Sequence, residues 1–464
     1  MHQYSAAIIN LGCKVNKYEA DAMRDKLVAA GIQMVEPEDI ADIYIVNTCS
    51  VTNMAQKKSR QILRRAKRKN PEAIIVAAGC YVNAEHDVLK QEDFVDIVVG
   101  NNCKKDIVEV IFGYIQENYH DDYYVDINRT KEYEEMGSLQ ASHLDHQRAY
   151  IKIQDGCNQF CSYCIIPYTR GRVRSRRPDN ILEEITKLAQ NGVKEFVLTG
   201  IHISSYGVDF AKEEIEYDAI MDCKQKDANI GLGELVSMIA AIPEVQRIRL
   251  GSLEPRIVTD DFLKLITQTE KICPHFHLSL QSACNDTLKR MNRKYTIEEF
   301  EEKCELLRKY FDRPALTTDV IVGFPGETEE EFATTVENLK KIHLYEIHVF
   351  KYSVRAGTVA EKLPNQVPEE KKNSRSDVLL KLTAQQKSEY EQSLRGTVQE
   401  VLIEEPWKEH MNTEDGAAVE AELLEQLDET EEKQWYVGHT KRYIKVKVAS
   451  KTNIVNEIVK VELL

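Results

Sequence analysis

Short apolar runs rich in β-branched residues alternate with longer stretches whose apolar positions recur every three or four residues. The first three runs are Ala6 to Leu11, Ile43 to Val46 and Ile74 to Ala77, and helical patterns follow over 17–30, 51–69 and 83–91. Strands alternating with helices predict a doubly wound parallel sheet. The alternation resumes with strands over 148–154, 195–201, 246–252, 275–281, 317–323 and 345–352. Helical patterns lie between them, over 179–191, 233–241, 259–267, 296–310 and 328–341. Six parallel strands with outer helices predict an open, partial (β/α)6 barrel with its chemistry at the carboxyl ends of the strands.

Beyond Pro364 a charged helix, about 368–392, leads to four short strand-like runs: Gly396 to Ile403, Gln434 to Gly438, Arg442 to Ala449 and Ile454 to Val461. Such a set predicts a small closed β-barrel. Between the first two, Glu404 to Glu432 reads as an acidic loop, and 208–230 reads as a polar insertion without chemistry of its own. The expected organisation is α/β with three units, 1–120, 143–390 and 395–464. A chain of 464 residues should bury about three-quarters of its unfolded surface in such units.

Eleven cysteines change the picture. Cys157, Cys161 and Cys164 form a C-x3-C-x2-C run directly after a strand. Three thiolates on one loop can hold three corners of a cubic iron–sulfur cluster, and because four-iron clusters usually take four cysteines, one iron stays open for a small molecule. A structural zinc site needs four closed ligands, and no fourth Cys or His lies in the loop. Three more cysteines, Cys13, Cys49 and Cys80, each end one of the first three strands. In a doubly wound sheet such positions converge outside the strand ends, so a second three-thiolate cluster is expected there.

The five remaining cysteines (Cys103, Cys223, Cys273, Cys284 and Cys304) are scattered, unlike a secreted disulfide framework. With no signal pattern at the N-terminus and no apolar run near 18 residues, the expectation is a cytoplasmic protein without membrane contact.

The formal charge is −15, yet the basic residues are concentrated. Gln56 to Lys69 holds eight basic residues and no acid, and Arg170, Arg172, Arg174, Arg176 and Arg177 follow the cysteine loop. Two basic runs beside both redox sites predict contact with a phosphate backbone.

The cysteine loop resembles the radical S-adenosylmethionine (SAM) enzymes, and two three-cysteine sets in this order resemble the methylthiotransferases. The wording is closest to their MtaB-like branch in Leu11-Gly-Cys-Lys-Val-Asn16, Asn47-Thr-Cys-Ser-Val-Thr52, Lys58-Ser-Arg-Gln61, Cys164-Ile-Ile-Pro-Tyr-Thr-Arg-Gly171 and Arg174-Ser-Arg176. The branch that modifies a ribosomal protein usually reads Gly-Cys-Pro-Lys-Asn at the first site. The resemblance covers almost the whole chain and implies an N-terminal cluster domain, a radical-SAM barrel and a C-terminal TRAM barrel that binds RNA.

It also implies two [4Fe–4S] clusters and two roles for SAM. One SAM methylates a sulfur held at the cluster of Cys13, Cys49 and Cys80. Another, chelating the open iron at Cys157, Cys161 and Cys164, is cleaved reductively to the 5′-deoxyadenosyl radical. The implied product is 2-methylthio-threonylcarbamoyladenosine beside the anticodon of tRNA, with outside electron and sulfur donors. Expected SAM contacts are Tyr163, Thr199, Gly200, Ser252, Glu254, Gln281, Gly323 and Gly326. Ser282-Ala283 departs from the family, where glycine often follows the serine. RNA contacts in the last barrel are expected from Lys441, Arg442, Lys445 and Lys447. The arginines after Cys164 are the expected pocket for the threonylcarbamoyl group. The alternatives are isopentenyladenosine in tRNA, a ribosomal protein, or a non-enzymatic iron–sulfur protein that carries electrons or binds RNA.

Overall fold

The computed structural model describes residues 3–117, 123–143, 147–210, 230–408, 418–423 and 434–464. The N-terminal strands β1 (Ser5–Asn10), β2 (Gln33–Met34), β3 (Ile43–Thr48), β4 (Ile74–Gly79) and β5 (Ile97–Val99) form one parallel sheet in the order β2-β1-β3-β4-β5. Ala7, Ile43, Ile45, Val46, Ile75 and Val76 are fully buried, so the continuous apolar runs belong to strands covered on both faces. Helices α1 (Lys14–Ala29), α2 (Asn53–Lys69) and α3 (Cys80–Ala84) follow β1, β3 and β4. The pattern expected over 83–91 is broken: α3 ends at Ala84 and a separate turn occupies His86–Leu89.

The second unit is built on β6 (Arg148–Asp155), β7 (Arg174–Ser175), β8 (Glu195–Gly200), β9 (Arg247–Leu250), β10 (His275–His277), β11 (Ala315–Val322) and β12 (Glu346–Lys351). Six of these run parallel in the order β6-β8-β9-β10-β11-β12, with single bridges Ile248–Ile272 and Leu253–Leu278 closing the gap between β9 and β10. The short β7 adds antiparallel to the β6 edge. Outer helices start at well-made caps; Thr296 and Thr328 accept from the backbone of Glu299 and Glu331, whose carboxylates bond back. The open partial barrel is as expected.

Helix Glu369–Ser393 lies along β12, its Thr383 hydroxyl accepting from Ile347 N at 2.7 Å. It leads to the closed barrel of β13 (Val398–Pro406), β14 (Val419–Leu423), β15 (Gln434–Thr440), β16 (Lys445–Ser450) and β17 (Ile458–Leu463), ordered β13-β15-β16-β14-β17. The expected acidic loop is corrected here: β13 runs on to Pro406, and Val419-Glu-Ala-Glu-Leu423 forms a fifth strand with Ala421 turned into the core. The rest of that stretch, and most of the 208–230 insertion, lie outside the described residues.

This small barrel docks on the amino ends of the larger one. Arg249 donates to the carbonyls of Thr440 and Lys441 at 3.3 and 3.0 Å, Arg247 donates to that of His439, and Arg148 pairs with Glu404. Lys441 and Arg442, expected to touch RNA, are used in this interface: they donate to the carbonyls of Glu270, Arg313 and Asp312. The other two, Lys447 and Lys445, lie over the rings of Trp435 (4.2 Å) and Trp407 (5.9 Å).

Candidate active site

The order β2-β1-β3-β4-β5 reverses between β1 and β3, and ligands bind outside the strand ends at such a reversal. Cys13 caps α1 just past β1, Cys49 follows β3, and Cys80 opens α3 just past β4. Their convergence depends on Gly12, whose φ is +103° and whose place a Cβ could not take, since it would stand 2.9 Å from the Cys49 sulfur. The three thiols act on one another electrostatically. Burial, which outweighs the opposing Arg170 charge, pushes Cys13 up, and burial pushes Cys49 up to about 11. Although closely surrounded by protein, Cys13 keeps an exposed surface.

Cys157, Cys161 and Cys164 sit on the loop after β6. Gly156 (φ +71°) begins the loop where a Cβ would strike the Arg172 carbonyl at 1.8 Å, which lets Cys157 N donate to Gly171 O at 3.0 Å. Burial pushes Cys157 up to about 11 and Cys164 up to about 12.

One side chain ties the two sites together. Arg170 is fully buried and its guanidinium is saturated. It donates to Cys80 Sγ at 3.1 Å, to Asn16 Oδ1 at 2.6 Å, to Glu19 at 2.9 and 3.1 Å, and to Asp155, two residues before Cys157, at 3.1 Å. Lys104 and Lys152 complete the network around Glu19. Burial opposes ionisation of Glu19 and Asp155, yet the surrounding cations, Arg170 foremost, hold both carboxyls well below their usual range.

This corrects the expectation for the arginines after Cys164. Arg170, Arg174 and Arg176 are buried: Arg174 donates to the carbonyls of Arg170 and Arg172, and Arg176 pairs with Glu135 and Glu184. Only Arg172 and Arg177 of the five are exposed, so the run as a whole is built into the fold rather than presented as one basic face. The basic run of α2 is different. Its Arg60 and Arg64 pair with Glu92 and its Lys67 with Asp96, while Lys57, Lys58, Arg65 and Arg68 lie exposed.

The expected SAM-contacting residues are spread around the larger barrel's carboxyl rim. Tyr163 packs edge-on to Phe324, and Thr199 is buried. Gly200 is pressed against Gln154, whose Oε1 would lie 3.0 Å from a Cβ there. Ser252 is exposed, Glu254 is held by Arg256 at 2.7 Å, and Gln281 adopts φ +73° beside Val320. Gly323 is closely packed: a Cβ there would meet the Lys372 side chain at 2.3 Å, and its amide donates to Glu327. Gly326 N likewise donates to Asn365 O.

Sequence reasoning missed Arg293, which donates to Cys161 Sγ at 3.2 Å and to Ser279 O. It also missed His202, whose Nδ1 meets Ser205 at 2.7 Å and whose ring burial depresses to about 4. No local pattern marks either. Lys14 stands next to Cys13; desolvation, with the Arg249 and Arg148 charges, lowers its ammonium to about 8.

The donor chemistry fits iron–sulfur clusters. Each set offers three thiols, and N–H groups of Arg170, Asn101, Arg293 and Gln159 are already aimed at their sulfurs. Such N–H···S contacts orient and tune cluster thiolates.

The fold and these loops define a radical-SAM enzyme, and residues 151–339 match the radical SAM superfamily, while residues 5–100 match an uncharacterized protein family, UPF0004. A threonylcarbamoyladenosine tRNA methylthiotransferase, MtaB, of Bacillus subtilis (strain 168) is 38% identical over 99% of this chain and 94% of its own. Its namesake of Aquifex aeolicus is 37% identical over 86% and 92%. A tRNA-2-methylthio-N(6)-dimethylallyladenosine synthase of Clostridium botulinum is 33% identical over 85% and 84%. The chain belongs to the radical-SAM methylthiotransferase family, in its MtaB-like branch. The fold is shared with a radical SAM methyltransferase, TsrM, from Kitasatospora setae, at a TM-score of 0.53, 15% identity and 75% coverage of each chain.

Proposed function

We propose that the protein adds a methylthio group to carbon 2 of threonylcarbamoyladenosine next to the anticodon of tRNA, with Cys157, Cys161 and Cys164 holding the SAM-binding [4Fe–4S] cluster and Cys13, Cys49 and Cys80 holding the second. The observation that carries this reading is the pairing of two three-thiol sites across one buried guanidinium, Arg170. An electron carrier needs no second open site. When bound, the clusters and SAM supply the radical that removes the carbon-2 hydrogen and the sulfur that replaces it, chemistry out of reach of protein side chains.

The chain's own residues bind and orient. Arg170 fixes the distance between the thiol sets, and Arg293 holds Cys161. Tyr163, Thr199, Gly200, Ser252, Glu254 and Gln281 line the rim on which SAM would lie. Lys57, Lys58, Arg65 and Arg68, on the helix that follows Cys49, supply an exposed basic face for the tRNA backbone. Greater likeness to the threonylcarbamoyladenosine enzymes than to the dimethylallyladenosine synthases supports the choice of base. A tRNA substrate implies work in the cytoplasm, with outside electron and sulfur donors; among the described residues no helix is long and apolar enough to cross a membrane. The test is an anaerobic reaction of cluster-reconstituted protein, SAM, reductant and sulfide with tRNA carrying threonylcarbamoyladenosine. Mass spectrometry should find the methylthio nucleoside; its absence, with 5′-deoxyadenosine still formed, would refute the substrate.

A further inference from the structure

Three strands of the larger barrel place polar side chains together on its inner face. His277 of β10 lies opposite Thr317 of β11, and Asp319 of β11 lies directly opposite His348 of β12. Their neighbours Phe276, Leu316, Val320 and Ile347 point the other way, into the apolar core beneath the outer helices. The His277 Nε2 lies 3.3 Å from Asp319 and its Nδ1 3.0 Å from the Thr317 hydroxyl. The His277 and His348 rings stack at 5.7 Å, and donor atoms of all three residues lie within 4.8 Å of one another.

The group is neither core nor outer surface. Ile321, two residues past Asp319 on the same face, packs in the cluster that contains Tyr163 of the cysteine loop. At about 3.3 Å per residue the triad therefore lies roughly 7 Å deeper along the strand than that contact. His348 and Phe350, on the same face of β12, are both exposed, with Phe350 at 49%. Lys14, beside Cys13, and Arg249 add positive charge close enough to act on His275 together with His277 and His348.

We propose that His277, Asp319 and His348 form the subsite for the N6 substituent of the adenine, and that they select a substituent bearing a carboxylate, a hydroxyl and urea N–H groups. The inference rests on the threonylcarbamoyladenosine reading and gives it a location. Asp319, positioned by His277, accepts from the hydroxyl or urea N–H, the His348 imidazole donates to the carboxylate, and Phe350 offers its face to the base. An isopentenyl group satisfies none of these partners, and sites built to hydrogen-bond reject analogues that leave their polar groups unpaired.

The test measures binding of the full, cluster-reconstituted chain to three synthetic anticodon stem–loops that carry threonylcarbamoyladenosine, isopentenyladenosine or plain adenosine. The wild type should prefer the first by about tenfold or more, and His348→Ala and Asp319→Asn should each reduce that preference by at least about threefold. The His348 side chain is exposed and Asp319→Asn is nearly isosteric, so neither change removes core packing. An undiminished preference in both variants, including equal weakening toward all three RNAs, overturns the subsite. A wild type that prefers the isopentenyl loop overturns instead the reading on which the subsite rests.

Discussion

The Nε of Arg170 stands 3.1 Å from the sulfur of Cys80, so a residue in the loop of one thiol set donates to a thiol of the other. The same guanidinium is bonded to Asp155 at the end of β6 and to Glu19 on α1. It is therefore the joint at which the N-terminal sheet is registered against the larger barrel.

Removing this group should be costly in two ways. Arg170→Met leaves Glu19 and Asp155 short of charge compensation in a buried site, a loss of about 3–5 kcal/mol in unfolding free energy. Arg170→Lys keeps a charge without the fork of donors, so it should recover part of the stability while lowering the midpoint potential of the N-terminal cluster, because N–H···S contacts raise such potentials. An unchanged potential in Arg170→Lys would reduce Arg170 to a structural tie.

Two sets of three thiols should hold roughly eight irons after anaerobic reconstitution. Replacing Cys157, Cys161 and Cys164 with alanine should halve the iron and abolish 5′-deoxyadenosine formation. Replacing Cys13, Cys49 and Cys80 should also halve the iron, with SAM cleavage still detectable. Full iron in either triple variant would remove that set from the assignment.

On α2 the exposed cations without a carboxylate partner among the described residues are Lys57, Lys58, Arg65 and Arg68. Changing all four to alanine should weaken tRNA binding and flatten the slope of log affinity against log salt by about one unit or less per lost phosphate contact. A slope equal to that of the wild type would make this helix face merely solvated.

Much of the architecture was legible because the longer parallel strands, such as β1, β3, β4 and β8, are apolar runs followed by amphipathic ones. Cys13, Cys49 and Cys80 were legible for the same reason: each stands where a strand stops. The arginines after Cys164 misled because their partners are remote. Glu19, Glu135 and Glu184 come from other segments, and only the fold shows that Arg170, Arg174 and Arg176 thread between α1 and β6. Strand β14 was overlooked within acidic surroundings, although Val419, Ala421 and Leu423 alternate with glutamates at the period of a strand. The His277–Asp319–His348 group joins three strands and has no local signature.

Stability should fall on acidification. His202 binds its proton at about 4 in the folded chain against an ordinary 6.5, so the unfolded chain takes up more protons as pH falls between those values. Glu195 adds a loss lower down: although burial opposes ionisation, Arg249 brings its carboxyl to about 2, and the stability this gives is lost as pH drops from about 4.5 toward 2. Urea unfolding midpoints should therefore decline as pH falls below about 7. His202→Gln should lessen the decline between pH 6.5 and 4, to which the depressed His275 and His348 also contribute; an identical decline in that variant would contradict the assignment.

The most direct measurement is mass spectrometry of tRNA nucleosides from cells with and without the gene. Deletion should eliminate 2-methylthio-threonylcarbamoyladenosine, leave its threonylcarbamoyladenosine precursor to accumulate, and leave any methylthio-isopentenyladenosine untouched. Loss of the isopentenyl product with the threonylcarbamoyl product intact would contradict the account.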